Sequence, residues 1–220
     1  MSPAEWCVND FYTPEDKAAL YERVTRRHSC RRFLSAPSAE QWSALSRAAA
    51  RLCPEKARLA PALCSPTMFQ SLGARVMKFE NLQRYVAVVA SDGSPESVLN
   101  AGVGGEMLLL EACGLGMAGC WVVSSYRRSE MTVPLAAGER LLAVIALGVP
   151  FADAPVPERK RKPLAKLMAD GAEPKHGLVS DVANMVRFAP SAMNLQPWKV
   201  SADDGGAVSL SVSRAVFRLD

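Results

Sequence analysis

Trp42, Leu45, Ala49 and Leu52 fall on one face at helical spacing, and the stretch opens with Ser38 and, three residues on, Gln41, the pairing of a capping box. A helix is therefore predicted from Ser38 to just before Pro54. An earlier one starts at Thr13, whose hydroxyl can cap while Pro14, Glu15 and Asp16 suit the first turn, and should run to about Arg26. Residues 54–80 hold three prolines, a glycine and weak periodicity, so a loop with short helix is expected there. The valine-rich run 85–90 is bounded by Ser-Asp-Gly and predicts a buried strand. Ser94 then opens a helix ending around Gly114 or Gly116, where glycine can take a left-handed cap. That apolar stretch, 98–124, should be a buried helix running into a strand. Further elements are a strand over 141–147 closed by Gly148 and Pro150, a helical turn from Pro163, a helix over 178–188, and a hairpin of 198–201 with 207–212. Strands interleaved with helices make the chain α+β or α/β.

Composition narrows the picture. With 220 residues, 49% of them hydrophobic, the chain can bury a sizeable core in one compact unit. The net charge of +4 suits an anionic cofactor better than a polynucleotide, and the basic segments lack the interleaved aromatics of a nucleic-acid binder. Glu106 and Glu111 interrupt the most apolar stretch, which excludes it as a bilayer span. Cysteines at 7, 30, 53, 64, 113 and 120 form no C-x-x-C pair or zinc spacing, so a reducing, cytoplasmic setting is expected. Residues 1–10 lack the order of a signal peptide.

Two histidines, His28 and His176, leave almost no material for a metal site or a Ser-His-Asp triad, and no Walker loop or strand-borne G-x-G-x-x-G occurs. Gly102, Gly104 and Gly105 lie inside a helical pattern, where close packing explains them. Three segments remain. Arg26 to Phe33 sets three or four cations and Ser29 within reach of one point; arginine's fork and a hydroxyl can hold phosphate, and the same residues can also be a solvated helix end. Arg159 to Lys162 is a basic run with the same two readings. Ala189 to Trp198 brackets Ser191, Asn194 and Gln196 between Pro190 and Pro197, a stiff loop able to bond the edge of a planar heterocycle or its own backbone.

Together these segments resemble the FMN-dependent nitroreductase family, with its R-[RH]-S-x-[RK]-x-[FY] motif and its A-P-S-x-x-N-x-Q-P-W loop. The stretches Glu106 to Trp121 and Val144 to Pro150, followed by Arg161-Lys162-Pro163, are similar to further family segments. The resemblance implies an α+β fold with a central, mostly antiparallel sheet flanked by helices. It implies non-covalent FMN, with NAD(P)H as reductant and a small acceptor such as a nitroaromatic or quinone. Arg27, Ser29 and Arg161 would contact the FMN phosphate with Lys162 nearby, His28 and Arg31 would lie beside the ribityl chain and pyrimidine ring, and Pro190, Ser191 and Asn194 would contact the flavin. Val123 and Ser124 replace a pair that usually contains glycine, where a backbone N–H approaches flavin N5. The late position of the A-P-S loop resembles a subgroup of two fused subunit-like halves, here 1–165 and a partial 166–220. One flavin per chain follows, in a monomer that is an intrachain pseudo-dimer or in a homodimer. The alternative is a descendant that kept the fold for storage or interaction.

Overall fold

The structure, a computed structural model, describes residues 12–52, 56–70, 72–153, 160–174 and 176–213, apart from the side chains of 72, 74 and 75. Residues 1–10, Cys7, Cys53, Pro54, Glu158, Arg159 and Asp220 lie outside the described residues. The chain divides into two units, Met1–Val156 and Pro157–Asp220.

The first unit is built on local signals that the side chains carry themselves. Helix α1 spans Pro14–Arg26 and α2 spans Ala39–Arg51, each opened by a capping box, from Thr13 with Asp16 and from Ser38 with Gln41. Helix α4, Pro95–Gly114, starts at the Ser94 cap, and the chain leaves it through Gly116, whose φ of 76° is the left-handed turn predicted there. A short α3 covers Leu72–Met77.

Five strands form one antiparallel sheet: β1 (Phe33–Ser35), β2 (Ala57–Leu63), β3 (Arg84–Ala90), β4 (Ala118–Val122) and β5 (Arg140–Pro150). β5 is the hub. It pairs with β3 along one side, with β4 from Val122↔Val144 to Ala118↔Gly148 on the other, and with β1 at its end, Phe33 opposite Pro150. β2 lies outside β3, in register from Ala57↔Ala90 to Leu63↔Arg84. The expectation of loop over 54–80 is thus corrected: seven of those residues are strand.

Alternate residues of β3 and β5 face different cores. Val86, Val88, Ile145 and Leu147 pack with Leu45 and Leu52 of α2 and Leu108 and Leu109 of α4, whereas Tyr85, Val89, Val144 and Ala146 pack with Met68 and Tyr126. Both faces are covered, and for this reason β3 reads as an unbroken apolar run rather than an alternating one.

The second unit holds α5 (Leu164–Leu167), α6 (Leu178–Val186) and the hairpin β6 (Trp198–Ala202) with β7 (Val208–Val212), around Met168, Ala183 and Val200. Among the described residues, no helix is long and apolar enough to cross a membrane, and no group of three or more His, Cys, Asp or Glu could hold a metal.

Candidate functional site

Beyond α1 the chain leaves helical geometry at Arg27, with φ −59° and ψ 131°, and runs as an extended ribbon. The ribbon is held from two sides. Ser29 bridges Gly119 at the start of β4, the Cys30 amide donates to the Gly119 carbonyl at 3.0 Å, and the Glu80 amide donates to the Arg31 carbonyl at 3.0 Å. Side chains of the arginine motif are thereby fixed against the sheet's edge rather than left on a frayed helix end.

Arg27 turns inward: its side chain is only 3% exposed, and Nε lies 3.1 Å from Glu106 Oε1. The other carboxylate oxygen of Glu106 accepts from Trp121 Nε1 at 2.7 Å. Burial pushes the Glu106 carboxyl above its ordinary range, opposed by the Arg27 charge and the indole hydrogen bond. Among the described residues, Arg27 Nη1 and Arg31 Nε are both buried with no hydrogen-bond partner. A buried donor left unmade costs about 1–3 kcal/mol, so each of these nitrogens is an unfavourable group that an acceptor would relieve.

Cys120 lies at the centre of the group. Burial raises its thiol pKa, and the Arg31 charge, a hydrogen bond from Ser29 and the Arg27 charge oppose the rise. Arg27, Ser29 and Arg31 are thus brought together around one sulfur, and His28 is half-buried between them in sequence. Val123 and Ser124 follow β4, exposed, and neither has a positive φ. The backbone there makes no demand that only glycine could meet.

In the second unit the A-P-S loop and the basic run are one hydrogen-bonded object. Arg161 Nη1 donates to Asn194 Oδ1 at 3.1 Å and its guanidinium lies 5.8 Å from the centre of the Phe188 ring. Asn194 Nδ2 donates to the Lys160 carbonyl at 2.8 Å. Gln196, buried, accepts from the Lys162 amide at 2.9 Å and donates to the Lys160 carbonyl at 3.2 Å, while its own amide donates to Ser191 Oγ at 3.0 Å. Lys162 Nζ reaches the Gln196 carbonyl at 3.0 Å. Met193, Asn194 and Gln196 all have positive φ, at 51°, 56° and 45°, and these bonds are what hold them there. Pro190 is half-buried, and Met193 is 83% exposed.

Of the expected site residues, Arg27, Ser29 and Arg31 form one cluster on the first unit, and Arg161, Ser191 and Asn194, with Lys162, form another on the second. Sequence reasoning missed Glu106 as the Arg27 partner and Gln196 as the organiser of its loop. A charge on an otherwise apolar helix was the available signal for the first.

An antiparallel sheet covered on both faces, with a clamped arginine ribbon at the mouth of its β4 strand, defines an α+β scaffold carrying a cluster of cationic side chains. Residues 19–218 match the family model described as "Putative TM nitroreductase", and the chain belongs to that nitroreductase family. A "putative nitroreductase" of Thermotoga maritima MSB8 has 21% sequence identity and a TM-score of 0.59, covering 89% of this chain and 76% of its own. A nitroreductase of Bacteroides fragilis with bound FMN has 16% identity and a TM-score of 0.52, covering 65% and 94%. A "putative nitroreductase" of Bacillus subtilis has 13% identity and a TM-score of 0.53, covering 68% and 97%. At these identities the likeness is one of fold, and it supports the nitroreductase-like α+β architecture. No curated protein matches the chain.

Proposed function

We propose that this family member is an FMN-dependent oxidoreductase that passes hydride from NAD(P)H to a small acceptor such as a nitroaromatic or a quinone, with one FMN per chain. The observation that carries the reading is the pair of buried, unpartnered guanidinium nitrogens, Arg27 Nη1 and Arg31 Nε, beside Ser29. Among the described residues they have no acceptor; Arg27 Nη1 suits the phosphate of a cofactor and Arg31 Nε the pyrimidine edge of the same molecule. The family and the FMN-bound Bacteroides fragilis neighbour point the same way.

FMN, when bound, supplies a reversible hydride acceptor at its N5. The chain's residues bind and tune it. Arg27 and Ser29 would donate to phosphate; for Arg161 and Lys162 a phosphate role rests on the family resemblance alone. His28 and Arg31 are assigned to the ribityl chain and pyrimidine ring. There the Arg31 cation would stabilise negative charge on the pyrimidine edge. Pro190, Ser191 and Asn194 are assigned flavin contacts, and Val123 and Ser124 the backbone approach to N5. The late A-P-S loop supports assignment to the fused, pseudo-dimeric kind. No side-chain nucleophile is required.

The experiment is a titration of purified, flavin-stripped protein with FMN, followed by anaerobic addition of NADH or NADPH. One equivalent of FMN, bleached by either nucleotide, is the expected result. Two equivalents would end the single-site assignment, and no binding would end the flavoenzyme reading.

A further inference from the structure

Glu106 is an expensive residue where it stands. It projects from α4 beside the buried Leu108 and Leu109, and burial raises its carboxyl pKa. Its two oxygens tie α4 to two other stretches of chain: the ribbon after α1 through Arg27 Nε, and β4 through Trp121 Nε1. Trp121 can lie close to α4 because residue 105 is glycine; a Cβ there would come within 2.9 Å of indole Cζ2. Sequence and packing have thus been arranged around this one carboxylate.

A fold staple alone does not account for it. A buried ion pair is seldom more stable than apolar residues of the same size, and a device made only for stability would not leave Arg27 Nη1 buried and unsatisfied. We infer that Glu106 is a positioning residue: it occupies the Nε of Arg27 and so presents Nη1 as the donor for the phosphate of an anionic ligand. With Glu106 ionised the pair has no net charge. Arg27 then contributes a directed hydrogen bond rather than net charge. The inference rests on the flavin reading above, in that the phosphate is taken to be that of FMN.

Charge and geometry predict opposite outcomes for Glu106→Gln. Removing a carboxylate beside Arg27 makes the site one charge more positive, which by electrostatics alone would tighten a phosphate ligand. If position is what matters, FMN binding weakens by about tenfold, because the amide has one acceptor oxygen for two donors and turns an NH2 toward the other. Trp121→Phe removes the indole donor together with the outer-ring atoms that face Gly105; the packing loss is common to both flavins, so a loss of roughly threefold in the preference for the phosphate-bearing one is expected.

The readout is the ratio of FMN to riboflavin affinity, measured by flavin fluorescence titration, since riboflavin lacks the phosphate. The expected result is a ratio that falls in Glu106→Gln and, less, in Trp121→Phe, with riboflavin affinity unchanged in Glu106→Gln. A preserved ratio, tighter FMN, or equal loss for both ligands overturns the inference while leaving a parental preference for FMN intact. A parental protein that does not distinguish FMN from riboflavin overturns the phosphate site itself, and the role of Glu106 with it. Should Glu106→Gln fail to fold, the Trp121→Phe ratio decides.

Discussion

Replacing Arg27 with alanine should destabilise the flavin-free protein in a pH-dependent way. The side chain is 97% covered, and its removal leaves Glu106 with the Trp121 indole as its remaining hydrogen-bond donor of the two found here. Breaking a buried ion pair costs about 3–5 kcal/mol, but 28% of the Glu106 side chain still meets water, so about 2 kcal/mol is expected near neutral pH. The sign follows from linkage. Burial holds the Glu106 carboxyl above its unfolded value, so its proton favours the folded state at low pH, and that contribution is lost as pH rises through the folded pKa. Arg27 is one of the influences pulling this pKa down, so its loss raises the carboxyl further. The penalty is therefore largest at neutral pH and shrinks on acidification. Urea unfolding of parental, Arg27→Ala, Glu106→Gln and doubly substituted protein, at neutral pH and about two units lower, measures it. In the double variant the penalty of losing Arg27 should be at least 1 kcal/mol smaller than in the parent. A penalty that is flat with pH and additive with Glu106→Gln would refute the reasoning.

Gly105→Ala should destabilise by about 1–2 kcal/mol in chemical denaturation although alanine ordinarily favours a helix, because the new Cβ meets Trp121. Gln196→Ala removes the side chain that bonds Lys160 and Lys162, and should release the positive-φ turn at a cost of about 2 kcal/mol; faster amide exchange across 191–196 would report it. Ser38→Ala loses half of a capping box and should cost about 1 kcal/mol of stability, read as a lower melting temperature. Asn194→Ala should weaken FMN affinity; a fall in apo stability with FMN affinity and NAD(P)H oxidation per flavin unchanged would make it scaffold only.

The helices were legible because their signals are local. Thr13 with Asp16 and Ser38 with Gln41 state a helix start within four residues, and both starts stand where those residues put them. β3 and β5 were legible as apolar runs because they are buried on both faces. β2 was not: Ala57, Ala60, Pro61 and Ala62 carry little strand preference, and the segment is strand because β3 offers it a pairing edge. Pro61 is tolerated there because β2 is the outermost strand and an edge can spare an N–H. The arginine motif and the A-P-S loop could be named as site candidates from their own residues. Their partners could not, since Glu106 meets Arg27 only after α4 has crossed the sheet, and Gln196 was one polar residue among several in its loop.

The place of β5 in the sheet has a consequence for how the chain is made. β2 and β3 are consecutive strands and can pair once residue 90 has emerged from the ribosome, but the other strand pairings of this sheet need β5. Phe33 must wait for Pro150, and Ser29 and Cys30 must wait for the β4 strand that β5 secures. Closing so long a loop is slow, because its entropy is lost before its contacts form. During translation the arginine ribbon therefore emerges first and is fixed near last. A ribosome paused before residue 140 would hold a nascent chain whose arginine ribbon lacks its support from β4 and is open to any passing polyanion.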